Sequence, residues 1–321
     1  MVVIMAAACG AAPKPGVVGE GGSARSEARA NHSAAPLTPV DILIFAPHPD
    51  DEVIGCAGVI QRAVAAGKSV RVSFATLGDG FAHAAAILLH KEEAALGPAD
   101  YLSLARVRQQ ETIDAARVLG VSPANIVFLG YPDGALDRVA ATTDNTPVTS
   151  LTTGRSSTYG IVVPDYHTRA HGRAAPYTRA AVLADVVEVL QQSRPSAVYV
   201  TSAKDTHADH MAMHDLVKDA IAAIGYSGAL STFVVHSGPP WEWPWPQGST
   251  PQLPFQQHTS GGTTYPVGAP WPPSVRVPLT SGEVAVKLRA LGTYHSQWVL
   301  PHGHDLLASF IKSEEIFWTD R

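Results

Sequence analysis

The chain has 321 residues, of which 45% are hydrophobic and 16% charged, a balance typical of a globular protein rather than a disordered one. The 23 Lys and Arg against 28 Asp and Glu give a formal net charge of -5, so the basic surplus of nucleic-acid-binding proteins is missing and no nucleic-acid partner is expected. Two cysteines are too few for a disulfide framework or a four-cysteine zinc site, and no apolar run reaches the roughly 18 residues of a transmembrane helix.

The N-terminal residues 1–36 are predicted to direct targeting rather than to fold. The first ten residues are apolar, and Ala6–Cys9 resembles a lipobox, in which the cysteine carries the lipid. Residues 11–36 are rich in Ala, Gly, Pro and Ser, a composition that buries too little surface to offset its ordering entropy. We therefore expect a lipoprotein-type signal and a disordered linker, with export and a membrane anchor at Cys9; a cytoplasmic location is the alternative.

Residues 37–321 are predicted to form one domain of alternating strands and helices. Short apolar runs predict strands, and helical spacing that stops at a glycine predicts helices. The predicted strands are Asp41–Pro47, Val70–Thr76, Ile126–Gly130, Ala197–Ser202 and Ser231–His236, and the predicted helices are Gly58–Gly67, Leu102–Gly120, Thr178–Gln192 and His210–Ile224. The alternation favours an α/β fold with a mostly parallel sheet, helices on both faces and ligands beyond the carboxyl ends of the strands.

Two polar segments follow predicted strands. His48–Glu52 (HPDDE) comes directly after the first strand, and Asp205–His210 (DTHADH) follows the fourth. They offer imidazoles and carboxylates without cysteine, a mix that suits zinc or a similar divalent metal. Because a catalytic zinc takes three protein ligands and lowers the pKa of its bound water to about 7, the pattern favours a hydrolytic site.

These motifs resemble those of the PIG-L/LmbE-type deacetylases. Beyond His48–Glu52 and the later His207-x-Asp209-His210, weaker matches are Arg108-x-x-Glu111, Leu129–Gly134 and Lys287–Gln297. The resemblance implies a Rossmann-like fold, a metal that is usually zinc, and removal of acetyl groups from substrates that contain N-acetylglucosamine. The GxGxxG fingerprint of dinucleotide-binding folds is absent from the sequence.

The resemblance also implies roles for single residues. His48, Asp51 and His210 would be the metal ligands. Asp50 would be the general base that takes a proton from the metal-bound water. His207 would stabilise the tetrahedral oxyanion or protonate the leaving amine; its alternatives are a third imidazole ligand and a surface residue.

Three further residues are expected around this centre. Arg108 and Asp133 would bind the substrate. Asp209 would hydrogen-bond a metal-ligating imidazole through the ring nitrogen that does not face the metal. Simpler interpretations are a helix N-cap for Asp50, a surface ion pair of Arg108 with Glu111, and a plain turn at Asp133.

Several histidines and tryptophans lie outside these motifs. His214 stands four residues after His210, but HPDDE already supplies the remaining ligands, so we expect it to be only a neighbour on the helix face. Tyr294 and His295 either reach the site or pack structurally. Residues 239–273 combine four tryptophans with many prolines, which indicates either a glycan-contacting lid or a connection whose tryptophans cover the core.

The preferred function is a metal-dependent N-deacetylase that uses metal-activated water on an N-acetylglucosamine-type or related amino sugar or glycoconjugate. Zn²⁺ is the expected cofactor, with Fe²⁺ as the alternative. Two histidines and one carboxylate also describe a non-haem Fe(II) oxygenase. A third alternative is a non-catalytic lipoprotein that binds glycans or metal.

Overall fold

The structure is a computed structural model that describes residues 36–298 and 306–320. The predicted signal and linker, with Cys9, lie outside the described residues except for Pro36. The strands are β1 (Ile42–Ala46), β2 (Val70–Thr76), β3 (Ile126–Tyr131), β4 (Ala197–Thr201), β5 (Ala229–Phe233), β6 (His258–Ser260), β7 (Thr263–Tyr265), β8 (Val275–Pro278) and β9 (Glu314–Thr319). The helices are α1 (Asp51–Ala65), α2 (Ala82–Leu89), α3 (Pro98–Leu119), α4 (Leu136–Ala140), α5 (Tyr166–His171), α6 (Arg179–Ser193), α7 (Ala208–Ile224), α8 (Ser281–Leu291) and α9 (Leu306–Ser309).

Among the described residues, the main sheet has seven strands in the order β3-β2-β1-β4-β5-β9-β8. Strands β1 to β5 are parallel, and β9 and β8 extend the sheet antiparallel at one edge. The chain adds β2 and β3 on one side of β1 and returns to add β4 and β5 on the other. This reversal between β1 and β4 is a topological switch point, where α/β sheets open a ligand crevice at the carboxyl ends of the strands.

Both faces of the sheet are buried, which explains why β1 is a continuous apolar run. Ile44 and Ala46 belong to one core cluster, whereas Leu43 and Phe45 belong to the other. This is the alternation expected of successive side chains on a strand. Residues of α1, α3 and α8 fill the first cluster, and residues of α6 and α7 fill the second. The predicted mostly parallel sheet with helices on both faces is therefore confirmed.

Several element boundaries differ from the sequence predictions. Helix α1 begins at Asp51 rather than Gly58, because the loop ends at Asp50, whose φ of 113° lies in the left-handed region. Strand β5 ends at Phe233 rather than His236. The antiparallel pair β8–β9 and helices α2 and α8 were not predicted. None of the described helices combines the length and apolar character that a membrane span requires.

Two of the four tryptophans of residues 239–273 cover the core. Trp243 is 1% exposed and donates its indole N–H to the carbonyl of Val234 at 3.2 Å. Trp271 packs partly buried against the same cluster, whereas Trp241 is 49% exposed. The structure thus favours the core-covering interpretation over a glycan-contacting lid.

Candidate metal centre and active site

Three side-chain atoms converge at the switch point: His48 Nδ1, Asp51 Oδ2 and His210 Nε2. The two imidazole nitrogens are 3.1 Å apart, and Asp51 Oδ2 lies 3.5 Å from the first and 3.3 Å from the second. A tetrahedral zinc with ligand bonds of about 2.1 Å holds its ligands about 3.4 Å apart. The spacing therefore fits one divalent metal with three protein ligands and a fourth position for water.

The fold places these ligands through two neighbouring strands. His48 lies in the loop after β1, and Asp51 is the first residue of α1. His210 lies in the first turn of α7, which follows β4. Asp51 Oδ2 accepts the backbone N–H of His48 at 2.9 Å, so one carboxylate oxygen orders the loop and faces both histidines.

Two carboxylates lie beside Nε2 of the His48 ring, the nitrogen that does not face His210. Its Nε2 lies 3.1 Å from Asp209 Oδ2 and 3.1 Å from Asp133 Oδ1. Asp209 is itself fixed by the backbone N–H groups of Gly134 and Leu136, at 2.7 and 2.8 Å. A carboxylate on the outer nitrogen sets the tautomer of a metal-ligating histidine and aims its other nitrogen at the metal.

Asp205 supports His210 in a similar way, although its position in the sequence suggested no role. Its Oδ2 lies 3.1 Å from His210 Nδ1, but that nitrogen makes no well-directed hydrogen bond. The same oxygen accepts the backbone N–H groups of Val235 and His236. Burial alone would raise the pKa of Asp205, but the neighbouring His210 and His236 and the backbone N–H of His207 lower it to about 2.

Two other donor groups share His48. One joins it to His207 and His210, and the other joins it to Asp133 and Asp209. In the first, His207 Nδ1 is already occupied, because it accepts the backbone N–H of Asp209 at 3.3 Å. In the second, both oxygens of Asp209 accept backbone N–H groups, and Asp51 Oδ2 accepts one as well. We prefer the set with Asp51 because its three atoms all lie 3.1 to 3.5 Å from one another, close to the spacing of tetrahedral zinc ligands.

Asp50 lies beside the three converging side chains, and its carboxylate is not one of the atoms that meet there. It occupies the N-cap position of α1, but its side chain makes no capping hydrogen bond. Instead Oδ2 accepts from Arg108 Nη2 at 3.1 Å, and the residue lines the cavity. Burial, assisted by the neighbouring Asp51, raises the pKa of Asp50 to about 7 even though Arg108 opposes the shift. A carboxylate with such a pKa can exchange protons near neutrality.

Arg108 is buried, and the surface-pair interpretation of Arg108 with Glu111 is wrong. Its guanidinium donates to the carbonyl of Gly78 at 3.0 Å and to that of Pro49, besides Asp50. Glu111 instead accepts the N–H and hydroxyl of Ser296. Arg108 therefore fixes Asp50 in place. Arg108 also lines the cavity, and its contact with a substrate stays a prediction.

His207 presents one ring nitrogen to the cavity. It is the N-cap of α7, where Nδ1 accepts the N–H of Asp209, so the neutral ring carries its proton on Nε2. Burial lowers the pKa of His207 to about 4, with His48 and His210 adding to the shift. The ring lies 4.7 Å from that of His48, centroid to centroid. His207 is thus a neutral hydrogen-bond donor next to the candidate metal ligands.

The crevice above these residues is a cavity of about 360 Å³. This volume lies within the usual range of small-molecule sites. Its polar lining is His48, Asp50, Asp51, Arg108, Asp133, His207, His236 and Gln297, and its apolar lining includes Ile54, Phe81, Val235, Leu306 and Leu307. None of the tryptophans of residues 239–273 contributes to this lining in the described part of the chain.

Comparison with known proteins agrees with this geometry. Residues 43–221, more than half of the chain, match the PIG-L family, described as GlcNAc-PI de-N-acetylase. The chain belongs to the PIG-L family. The conserved protein TT1542 from Thermus thermophilus has a similar structure, with 19% identity, a TM-score of 0.50, and coverage of 88% of this chain and 95% of that one. No curated protein matches the chain.

A second solved structure shares the PIG-L fold. It is the N,N'-diacetylchitobiose deacetylase from Pyrococcus horikoshii in complex with its inhibitor MPG, with 19% identity and a TM-score of 0.51. The match covers 87% of this chain and 83% of that one. At such identity the two structures show a common fold.

Residues beyond the family match also reach the PIG-L motif. Tyr294 donates its hydroxyl to Glu52 Oε1 at 2.5 Å, and Glu52 Oε2 accepts the backbone N–H of Asp50. Burial raises the pKa of Glu52 to about 8. His214, by contrast, pairs with Asp320 at 2.7 Å and is the helix-face neighbour that its spacing suggested.

His236 is a cavity residue that the sequence analysis missed. Its ring lies 5.0 Å from that of His210 and 5.3 Å from that of His207. Burial lowers its pKa to about 3, so the ring is neutral. The only signal in the sequence was its position as the last residue of the fifth predicted strand, which is too weak to single out one histidine of 14.

Proposed function

We propose that this PIG-L protein is a zinc-dependent N-deacetylase that hydrolyses the acetamide of an N-acetylglucosamine-type or related amino sugar or glycoconjugate. The convergence of His48, Asp51 and His210 beside the carboxylate of Asp50 and the neutral imidazole of His207 carries the proposal. The family description, a de-N-acetylase, supports amide hydrolysis. Fe²⁺ is the alternative metal, because the same donor types accept both.

A divalent metal in this site would supply a Lewis acid that polarises the amide carbonyl and lowers the pKa of a water to about 7. Arg108 holds Asp50 Oδ2, and the other carboxylate oxygen of Asp50 takes the proton from the attacking water. The water oxygen bonds to the carbonyl carbon. His207 Nε2–H donates a hydrogen bond to the oxyanion that forms.

Asp50 then returns the proton to the leaving nitrogen as the C–N bond breaks. The electron pair of the C–N bond leaves with the nitrogen, and the oxyanion re-forms a carbonyl, which gives acetic acid and the amine. The carboxyl proton of acetic acid then passes to the amine, so that acetate and an ammonium group are the final products and atoms and charge balance. Because the pKa of His207 is held at about 4, this ring is better suited to hydrogen bonding than to protonating the amine. Asp133 and Asp209 keep the His48 ring in position throughout.

Neither alternative function uses the whole site. An Fe(II) oxygenase needs open positions for oxygen and a cosubstrate rather than a carboxylate beside the ligand carboxylate. A non-catalytic binding protein needs neither a base near neutral pKa nor an oxyanion donor. Asp50 and His207 therefore favour hydrolysis over both.

A panel of N-acetylated amino sugars, assayed for acetate release, tests the proposal. We expect release with at least one sugar, its loss after chelation and its return with Zn²⁺. A matched pair of variants on α7 gives the control: His210→Gln should lose metal and activity, whereas His214→Gln should keep both. Acetate release that is indifferent to chelation, or oxygen consumption in its place, would refute the assignment.

We also propose export of the protein as a lipoprotein anchored at Cys9. The lipobox-like residues 6–9 support this proposal. Mass spectrometry of membrane fractions should find lipid on Cys9, and an unmodified Cys9 in the soluble cytosol would refute it.

A further inference from the structure

We propose a second divalent-metal site, formed by His167 and His171 of α5 with Asp185 of α6. The three residues offer ligand atoms that lie within 4.8 Å of one another. None of them belongs to the catalytic centre, so the proposal does not depend on the deacetylase reaction.

The two imidazoles come from one turn of helix. His167 and His171 are four residues apart on α5 and therefore lie on the same face. Their ring centroids are 4.4 Å apart, with the planes inclined at 48°. Two histidines at this spacing on a helix can chelate one zinc ion. The side chains are 15% and 38% exposed, so an ion from solvent can reach them.

Carboxylates from α6 face both rings. Asp185 Oδ1 lies 2.7 Å from His167 Nδ1, and Glu188 Oε2 lies 2.9 Å from His171 Nε2. Asp185 is almost fully buried, and its other oxygen accepts the hydroxyl of Tyr131 at 2.7 Å. A buried carboxylate fixed by a second donor is the support that metal ligands usually have.

A single cation would unite the two histidine–carboxylate pairs. If both rings were instead doubly protonated, two positive charges would stand at about ring-contact distance. One divalent ion shared by the rings replaces both protons and faces the two carboxylates of Asp185 and Glu188. Two imidazoles with carboxylate oxygen suit Zn²⁺.

Binding requires a small movement. Tetrahedral zinc holds its ligand atoms about 3.4 Å apart. His167 Nδ1 and Asp185 Oδ1, now 2.7 Å apart, must therefore separate slightly, and the partly exposed His171 at the end of α5 must bring a ring nitrogen to the same distance. The bound ion would join α5 to α6. Through Asp185 and Tyr131 it would also brace the end of β3, two residues before Asp133.

Zinc binding to the full chain, stripped by chelator and titrated with Zn²⁺ alone, tests this site. We expect two zinc ions per chain by metal analysis after gel filtration. His171→Gln and His167→Gln should each reduce the count to one, and His83→Gln, a control with a similar carboxylate partner, should leave two. One zinc per chain in the wild type, or an unchanged count in the double variant of residues 167 and 171, would overturn the proposal.

A second readout isolates the new site. In His210→Gln, which lacks a ligand of the catalytic metal, added zinc should still raise the melting temperature. Adding His171→Gln to that background should abolish the increase. Circular dichroism of each variant checks the fold, and an increase that persists in the double variant would contradict the assignment.

Discussion

His48 Nδ1 and His210 Nε2 lie 3.1 Å apart, although the two histidines are separated by 162 positions in the sequence. Each follows a strand of the same parallel pair, β1 and β4. Because the strand order reverses between β1 and β4, the connections that follow the two strands run in opposite directions along the sheet. The loops at their carboxyl ends therefore border one crevice. The proximity of the two rings is therefore a consequence of sheet topology.

The base role of Asp50 predicts a selective loss of turnover. Asp50→Asn should lower kcat by roughly 10²- to 10⁴-fold, because the amide cannot take the proton from water. Metal content should stay at the wild-type level, since Asp50 is held by Arg108 and is not among the three converging atoms. Acetate-release kinetics with parallel metal analysis would measure both. Asp114→Asn, at a solvent-facing position of α3, is the control. Wild-type kcat in Asp50→Asn would exclude the role.

His207 should act on kcat through hydrogen bonding. We expect His207→Ala to reduce kcat by about 10²- to 10³-fold with little change in KM, because the lost donor serves the oxyanion. His207→Gln retains an N–H donor and should recover part of the loss. Equal rates in the two variants, or loss of metal in both, would argue instead for a structural or ligand role.

Arg108 should set the acidic limb of the pH–rate profile. Its positive charge lowers the pKa of Asp50, which burial raises to about 7, so its removal should raise that pKa further. The reaction needs ionised Asp50, and Arg108→Gln should therefore shift the acidic limb of kcat to higher pH. Arg117→Gln, an exposed residue on the same helix, should leave the limb in place. A limb that stays or moves to lower pH in Arg108→Gln would contradict this placement.

Glu52 should make the metal-free fold less stable as pH rises. Its pKa is about 8 in the folded protein against an ordinary 4.5, so between these values the folded state holds a proton that the unfolded chain has lost. The contribution of Glu52 to the free energy of unfolding is fully present below about pH 4.5. It is lost as the pH rises through 8. Urea denaturation in chelator at pH 5, 6.5 and 8 should show a shallower decline for Glu52→Gln than for wild type.

The matching control for that series is Glu92→Gln, an exposed glutamate, which should reproduce the wild-type slope. An identical slope in Glu52→Gln would show that Glu52 does not hold its proton in the folded protein.

The sequence alone was sufficient to predict the strands at the centre of the sheet. Strand β2 lies at the predicted Val70–Thr76, and β1 and β4 lie within one or two residues of their predictions. The runs of β1 and β4 are almost wholly apolar and end at polar loops, whereas the buried Arg71 and Ser73 interrupt the run of β2. Because HPDDE follows β1 directly and the later histidines follow β4 within a few residues, their position at the crevice could also be predicted.

Contacts between distant segments could not be predicted in this way. The Tyr294–Glu52 bond joins residues 242 positions apart, and no local pattern encodes it. Strand β9 pairs antiparallel with both β5 and β8 at the sheet edge, a choice made by packing rather than by propensity. The support of His210 by Asp205 was likewise visible only once the loop after β4 was placed.

The central claim is that His48, Asp51 and His210 bind one metal ion through the three atoms that converge in the crevice. Anomalous diffraction at the zinc edge, from crystals soaked in Zn²⁺, tests it most directly. The account predicts a peak about 2.1 Å from His48 Nδ1, Asp51 Oδ2 and His210 Nε2. A crevice without zinc, or a zinc bound through His48 Nε2 with Asp133 and Asp209, would contradict it.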